Sequence, residues 1–213
     1  ECDALGPAPL DADPPVLGFL SRIHADLGFT ELVDAFIELK KHPRLATLKL
    51  RATGGVTSGD RGFVDRIMQK ARAAGVDQDI EIVEDFGKSA RQAFIRSLTV
   101  LSAPAPQGEA FGLFIVEAGA CGVPVVQPDA GAFREVVEMT GGGIVYDPAD
   151  KSALVESLKK VLLDPVLARQ LGRAAYAAVH ERFTSDAMAA ILASVFAELV
   201  PGQHQPAEPA KTR

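Results

Sequence analysis

Apolar and polar positions change period repeatedly between residues 16 and 199. Val16 to Leu20 is a short apolar run of strand length. Phe29, Leu32, Val33, Phe36 and Ile37 then recur at spacings of three and four, with Glu31, Asp34, Glu38 and Lys41 between them, which predicts a helix over 29–42 with one buried stripe. Leu45 to Ala52 reads as a strand, and Phe63, Val64, Ile67, Met68 and Ala71 as the stripe of a second helix. Ile80 to Val83 is a third strand, and Ser89 is a candidate N-cap for a short helix through Arg96. Thr99 to Ala103, Val123 to Gln127 and Gly143 to Tyr146 are further apolar runs, and helices follow at roughly 151–163, 166–182 and 186–199. Strand–helix alternation at this spacing builds βαβ crossovers. The expected fold class is α/β: a single doubly wound parallel sheet of about six strands, Rossmann-like, with extra C-terminal helices.

Composition adds limits rather than identity. The 213 residues are 47% hydrophobic and 23% charged, an ordinary globular balance with length for one large domain. Lysine and arginine number 22 against 28 acids, a formal net charge of −6, which argues against a nucleic-acid partner. No apolar run approaches the roughly 18–20 residues of a membrane span, so no transmembrane segment is expected. No basic-plus-apolar leader follows Glu1, so no signal peptide is expected either. Two cysteines, Cys2 and Cys121, cannot build a disulfide framework, and the expected setting is reducing and cytoplasmic. Pro7, Pro9, Pro14 and Pro15 with Gly6 mark residues 1–15 as linker with little to bury. Residues 16–200 form the expected folded domain and 201–213 a frayed tail.

Ligands of such sheets sit beyond the carboxyl ends of the strands, where helix N-termini present free N–H groups. Gly87-Lys88-Ser89 lacks the leading glycine of a phosphate loop, because position 82 is Ile82. The D-x-D pairs Asp11/Asp13 and Asp77/Asp79 read as solvated acids, and the four histidines show no metal-ligand spacing, so no metal site is expected. One stretch stands apart. From Ala110 to Val126 every residue is apolar, glycine or proline except Glu117. A helix apolar on all sides is a buried one, and a carboxylate within it must find a partner or change protonation. Glu117 therefore either pairs with a core arginine or faces a polar ligand and accepts hydrogen bonds from its hydroxyls. Phe111-Gly112-Leu113 opens that helix, so its N–H groups can hold an oxyanion. Glu109 lies just before it, in a loop after a strand, and the two acids are placed to touch different parts of one ligand.

The run E-x-F-G-L-x-x-x-E-A-x-A-C-G-x-P-V-V from Glu109 to Val126 resembles the Glu-x7-Glu signature of the family 4 glycosyltransferases, retaining enzymes of the GT-B fold. Phe19-Leu20-Ser21-Arg22-Ile23 with Leu27-Gly28-Phe29 resembles the family's G-R-x-x-x-x-K-G segment. Leu32 to Phe36 matches the following helix, Leu50 to Gly55 the second strand and its glycine turn, and Gly131 to Glu135 the G-G-x-x-E segment. The likeness extends over most of residues 16–186. It implies the C-terminal, donor-binding half of such an enzyme, taking a nucleotide diphosphate sugar of UDP or GDP type without a metal or other cofactor. On that resemblance Arg22 would bind the diphosphate, Glu117 the ribose hydroxyls and Glu109 the hydroxyls of the sugar. Arg22 and Glu109 would carry the catalytic roles. The N–H groups of Phe111, Gly112 and Leu113 would lie near sugar and phosphate, and backbone at Asp85 and Phe86 would line the base.

The resemblance also implies a partner in cis: an N-terminal domain carrying the acceptor site, to which the helix at 186–199 would cross back. Alone, the chain is expected to bind donor and to turn it over poorly. Three positions depart from the family pattern: Leu27 stands where a lysine is usual, Ser21 where a glycine precedes the arginine, and Glu84 where a glycine follows the third strand. Leu27 and Glu84 favour a second reading, a non-catalytic domain kept as a sugar-nucleotide sensor or scaffold. Arg22, Glu109 and Glu117 oppose it. Cys121 is read as packing.

Overall fold

A computed structural model of the chain describes residues 6–83 and 87–199. Its strands are β1 (Val16–Leu20), β2 (Lys49–Thr53), β3 (Ile80–Ile82), β4 (Val100–Leu101), β5 (Val125–Pro128) and β6 (Gly143–Tyr146). They form one sheet of order β3-β2-β1-β4-β5-β6 in which every pair is parallel. The helices are α1 (Phe29–Leu39), α2 (Arg61–Ala73), α3 (Lys88–Arg96), α4 (Leu113–Ala120), α5 (Phe133–Thr140), α6 (Ala153–Leu163), α7 (Pro165–Arg182) and α8 (Ser185–Leu199). The doubly wound Rossmann-like sheet expected from the alternation of periods is present. Strand order reverses between β1 and β4, so their carboxyl ends diverge and leave a crevice there.

The core is the sheet with helices on both faces. Leu17 and Phe19 of β1 are fully buried beside Leu50 and Ala52 of β2. α1 buries the predicted stripe of Phe29, Leu32, Val33 and Phe36, together with Leu39, and the Phe19 and Phe29 rings meet at 4.9 Å. α1 packs with α2 and α6, while α4 packs against α3, α5 and α7. α4 buries Phe114, Ile115, Val116, Ala118 and Gly119, as its apolar composition requires.

Three local expectations are corrected. The second strand starts at Lys49 rather than Leu45, because Pro43 fixes a 3₁₀ turn over Pro43–Leu45 that the His42 ring caps by accepting the Arg44 N–H. Helix α3 starts at Lys88 with Gly87 as its N-cap, so Ser89 lies inside it. Within the proline-rich segment Ala8 and Leu10 are buried, the Ala8 N–H donates to the Cys121 carbonyl at 2.7 Å, and Arg96 donates to the Gly6 carbonyl. The inner part of this segment thus packs on the domain instead of having little to bury. The other end differs: Met188, Ile191, Leu192, Val195, Phe196 and Leu199 share a face of α8 and are 43% to 72% exposed. Among the described residues no helix is long and apolar enough to cross a membrane.

Candidate functional site

The crevice takes its shape from loops that follow β1, β2, β4 and β5. Beyond β1, the Ser21 and Ile23 N–H groups donate to the Thr53 and Gly55 carbonyls at 3.2 and 3.1 Å, joining the loop after β1 to the loop after β2. Gly28, at φ +85°, brings the first loop against the loop after β4. A Cβ at this position would lie 2.3 Å from the Pro104 carbonyl carbon, so only glycine allows the approach. The loops carrying Arg22 and Glu109 are therefore neighbours at one crevice, although 87 positions separate the two residues in sequence.

Arg22 reaches this crevice already paired. Its Nε donates to Asp60 Oδ2 and its Nη2 to Asp60 Oδ1, both at 3.0 Å, a two-point clasp. Asp60 also accepts from the Thr57 N–H at 3.0 Å and the Thr57 hydroxyl at 2.5 Å. Hydrogen bonds from Thr57 and from Arg22, acting against burial, hold the Asp60 carboxyl down at about 2. Beside the clasp lies a cavity of about 950 Å³ lined by Arg22, Gly54, Thr57, Arg61, Ile82 and Val83, among others. Arg61 opens α2 and makes no ion pair among the described residues. Thr57, Asp60 and Arg61 are not among the site residues expected from the sequence. The available signal was an acid followed by a cation just after the Gly54-Gly55 turn.

The loops after β4 and β5 hold Glu109. Gly131, at φ +54°, lies so close that an added Cβ would be 2.5 Å from the Glu109 carbonyl oxygen, which itself accepts the Ala132 N–H at 3.0 Å. The Glu109 carboxyl makes no hydrogen bond or ion pair among the described residues, and burial pushes its pKa up. Phe111 and Leu113 are exposed around Gly112, which caps α4 at φ +81°. On α4, Glu117 Oε2 accepts from Arg91 Nη2 of α3 at 2.7 Å. Burial raises the Glu117 carboxyl and Arg91 opposes it. The arginine is not a core residue: the two side chains are 36% and 27% exposed. Phe86, with Asp85 and Glu84, lies outside the described residues.

The model for "Glycosyl transferases group 1" matches residues 6–178. The chain is 29% identical over 192 residues to a D-inositol 3-phosphate glycosyltransferase of Corynebacterium jeikeium, covering 89% of this chain and 45% of the relative. It thus spans about half the length of that curated relative. A sucrose-phosphate synthase from Thermosynechococcus elongatus superposes with a TM-score of 0.75 at 25% identity, over 90% of this chain and 46% of the other. The Anabaena protein HepE, solved in complex with UDP and glucose, superposes at 0.73 with 23% identity, over 85% of this chain and 48% of the other. A family match across most of the described residues, on a parallel sheet with Arg22 in the loop after β1 and Glu109 in the loop after β4, makes this chain a member of the group 1 glycosyltransferases.

Proposed function

We propose that the chain is the donor-binding half of a retaining glycosyltransferase and holds a nucleotide diphosphate sugar of UDP or GDP type. One observation supports the reading: the loops at the sheet's switch point carry a guanidinium, on Arg22, and a carboxyl without a hydrogen bond or ion pair among the described residues, on Glu109, which lies just ahead of the N-terminus of α4. Arg22 meets the diphosphate, with the N–H groups of Phe111, Gly112 and Leu113 near phosphate and sugar. Glu109 accepts from sugar hydroxyls and Glu117 from the ribose diol. Loss of the nucleotide diphosphate is stabilised by Arg22 and helix dipoles, with no metal.

The acceptor site belongs to an N-terminal domain in cis. The exposed apolar face of α8 supports that reading, since a helix crossing back would bury it. The cytoplasmic setting is part of the same proposal. Calorimetric titration with UDP, GDP and their sugars tests the donor site; no binding of any of them at millimolar concentration would sink it. A second reading, a sensor or scaffold without turnover, is favoured by the pairing of Arg22 with Asp60 and by Leu27. Binding of a donor with no hydrolysis or transfer in a chain extended upstream supports that alternative.

A further inference from the structure

The contact between α3 and α4 has an unusual form. An arginine and a carboxylate that serve only to hold two helices together favour a two-point fork, with two guanidinium N–H groups on two carboxylate oxygens. Arg22 and Asp60 make such a fork in this same chain. Arg91 does not. It touches Glu117 through Nη2 alone and on Oε2 alone, at 2.7 Å. Its Nε is buried without a hydrogen-bond partner among the described residues, which a native structure normally avoids. Glu117 Oε1 accepts no hydrogen bond among the described residues. Both side chains remain partly open to solvent, so the pair is not shut in the core.

We propose that Arg91 is a positioning residue: by holding Oε2 it fixes the rotation of the Glu117 carboxylate and presents Oε1 to the ribose hydroxyls of the nucleotide. The inference rests on the reading of Glu117 as the ribose acceptor. A carboxylate anchored at one oxygen has one free direction left, so the hydroxyls meet an acceptor that needs no further ordering. Burial pushes the Glu117 carboxyl up and the neighbouring guanidinium pulls against it, so the same contact also favours the charged acceptor. Without Arg91, the carboxylate is free to rotate and its hydrogen bond to the diol weakens.

The test is a binding cycle on the chain with UDP and GDP, each beside its 2′,3′-dideoxy analogue, measured by calorimetry. The unaltered chain prefers the ribose form by about tenfold or more, the size of a hydrogen bond to a charged acceptor. Arg91→Gln erases most of that preference and leaves the dideoxy affinity within about twofold of the unaltered chain. Arg91→Lys, which keeps the charge, restores part of the preference and serves where the glutamine variant folds poorly. A full preference retained in Arg91→Gln overturns the positioning role, because a merely structural contact acts equally on both nucleotides. No preference in the unaltered chain overturns the Glu117 reading itself, and this proposal with it.

Discussion

Replacement of Gly131 by alanine tests how the loop after β5 fixes Glu109. The backbone at 131 has φ +54°, where an L-residue costs about 1–2 kcal/mol. Steric cost comes on top: the new Cβ would lie 2.5 Å from the Glu109 carbonyl oxygen, and ordinary contact begins near 3.4 Å, so the two loops must part by roughly 1 Å. Overpacking of that kind adds about 1–3 kcal/mol, for a total of about 2–5 kcal/mol. In a domain of this size each kcal/mol lowers Tm by about 2–4 °C, so the melting point falls by about 4–20 °C. Gly75→Ala is the control, since its φ of +72° carries the conformational cost but nothing lies within 4 Å of its Cβ. That variant loses about 2–8 °C. Calorimetry separates site from scaffold: if Glu109 meets the sugar as proposed, Gly131→Ala weakens the UDP-sugar by about tenfold while UDP alone changes little. A Gly131→Ala chain that melts no lower than Gly75→Ala and holds the sugar normally would refute the interlock of the two loops.

Leu27→Lys returns a second cation to the first loop and is expected to tighten UDP by about tenfold; unchanged affinity would show that position 27 does not face the diphosphate. The Asp60 carboxyl is depressed from its ordinary value of 3.8 to about 2, so its stabilisation is complete above about pH 4 and is lost as pH falls through 2. Acid unfolding followed by circular dichroism should accordingly be flatter between these pH values in Asp60→Asn. Ile191→Ser with Phe196→Ser on α8 should move Tm by less than about 2 °C, since both side chains are more than 60% exposed, and should reduce self-association in sedimentation.

The parts legible in the sequence are those set by local periodicity. Val16–Leu20 and Gly143–Tyr146 are strands with the boundaries that their apolar runs mark, because Pro15 and Ser21 flank the first and Gly142 and Asp147 the second. The start of the second strand is not legible, because Leu45 and Leu48 are buried without being in a strand; burial and extended backbone look alike in a short apolar run. Ala8 and Leu10 lie among prolines, and their burial comes from tertiary contacts, including the Ala8 N–H bond to the Cys121 carbonyl, which no local pattern announces. In the site, Glu117 stood out because it is the one charge in an apolar helix. Its partner Arg91 did not, being one of several cations on an amphipathic helix. The Arg22–Asp60 clasp joins residues 38 positions apart through the meeting of two loops, so pairing could be read only after the sheet was in place.

The clasp also bears on how quickly a ligand is captured. Arg22 and Asp60 together carry no net charge, which leaves Arg61 to supply positive charge at that corner, and the chain as a whole carries −6, so an anionic donor of the proposed kind would meet only a weak long-range pull. At about 0.1 M salt only charges within roughly 10 Å act on it at all. Association should then speed up or stay level as salt is added, the reverse of an electrostatically steered encounter. Affinity in such a site resides in a slow departure, once the anion has bonded to N–H groups and to the exposed edge of the guanidinium, rather than in a fast arrival.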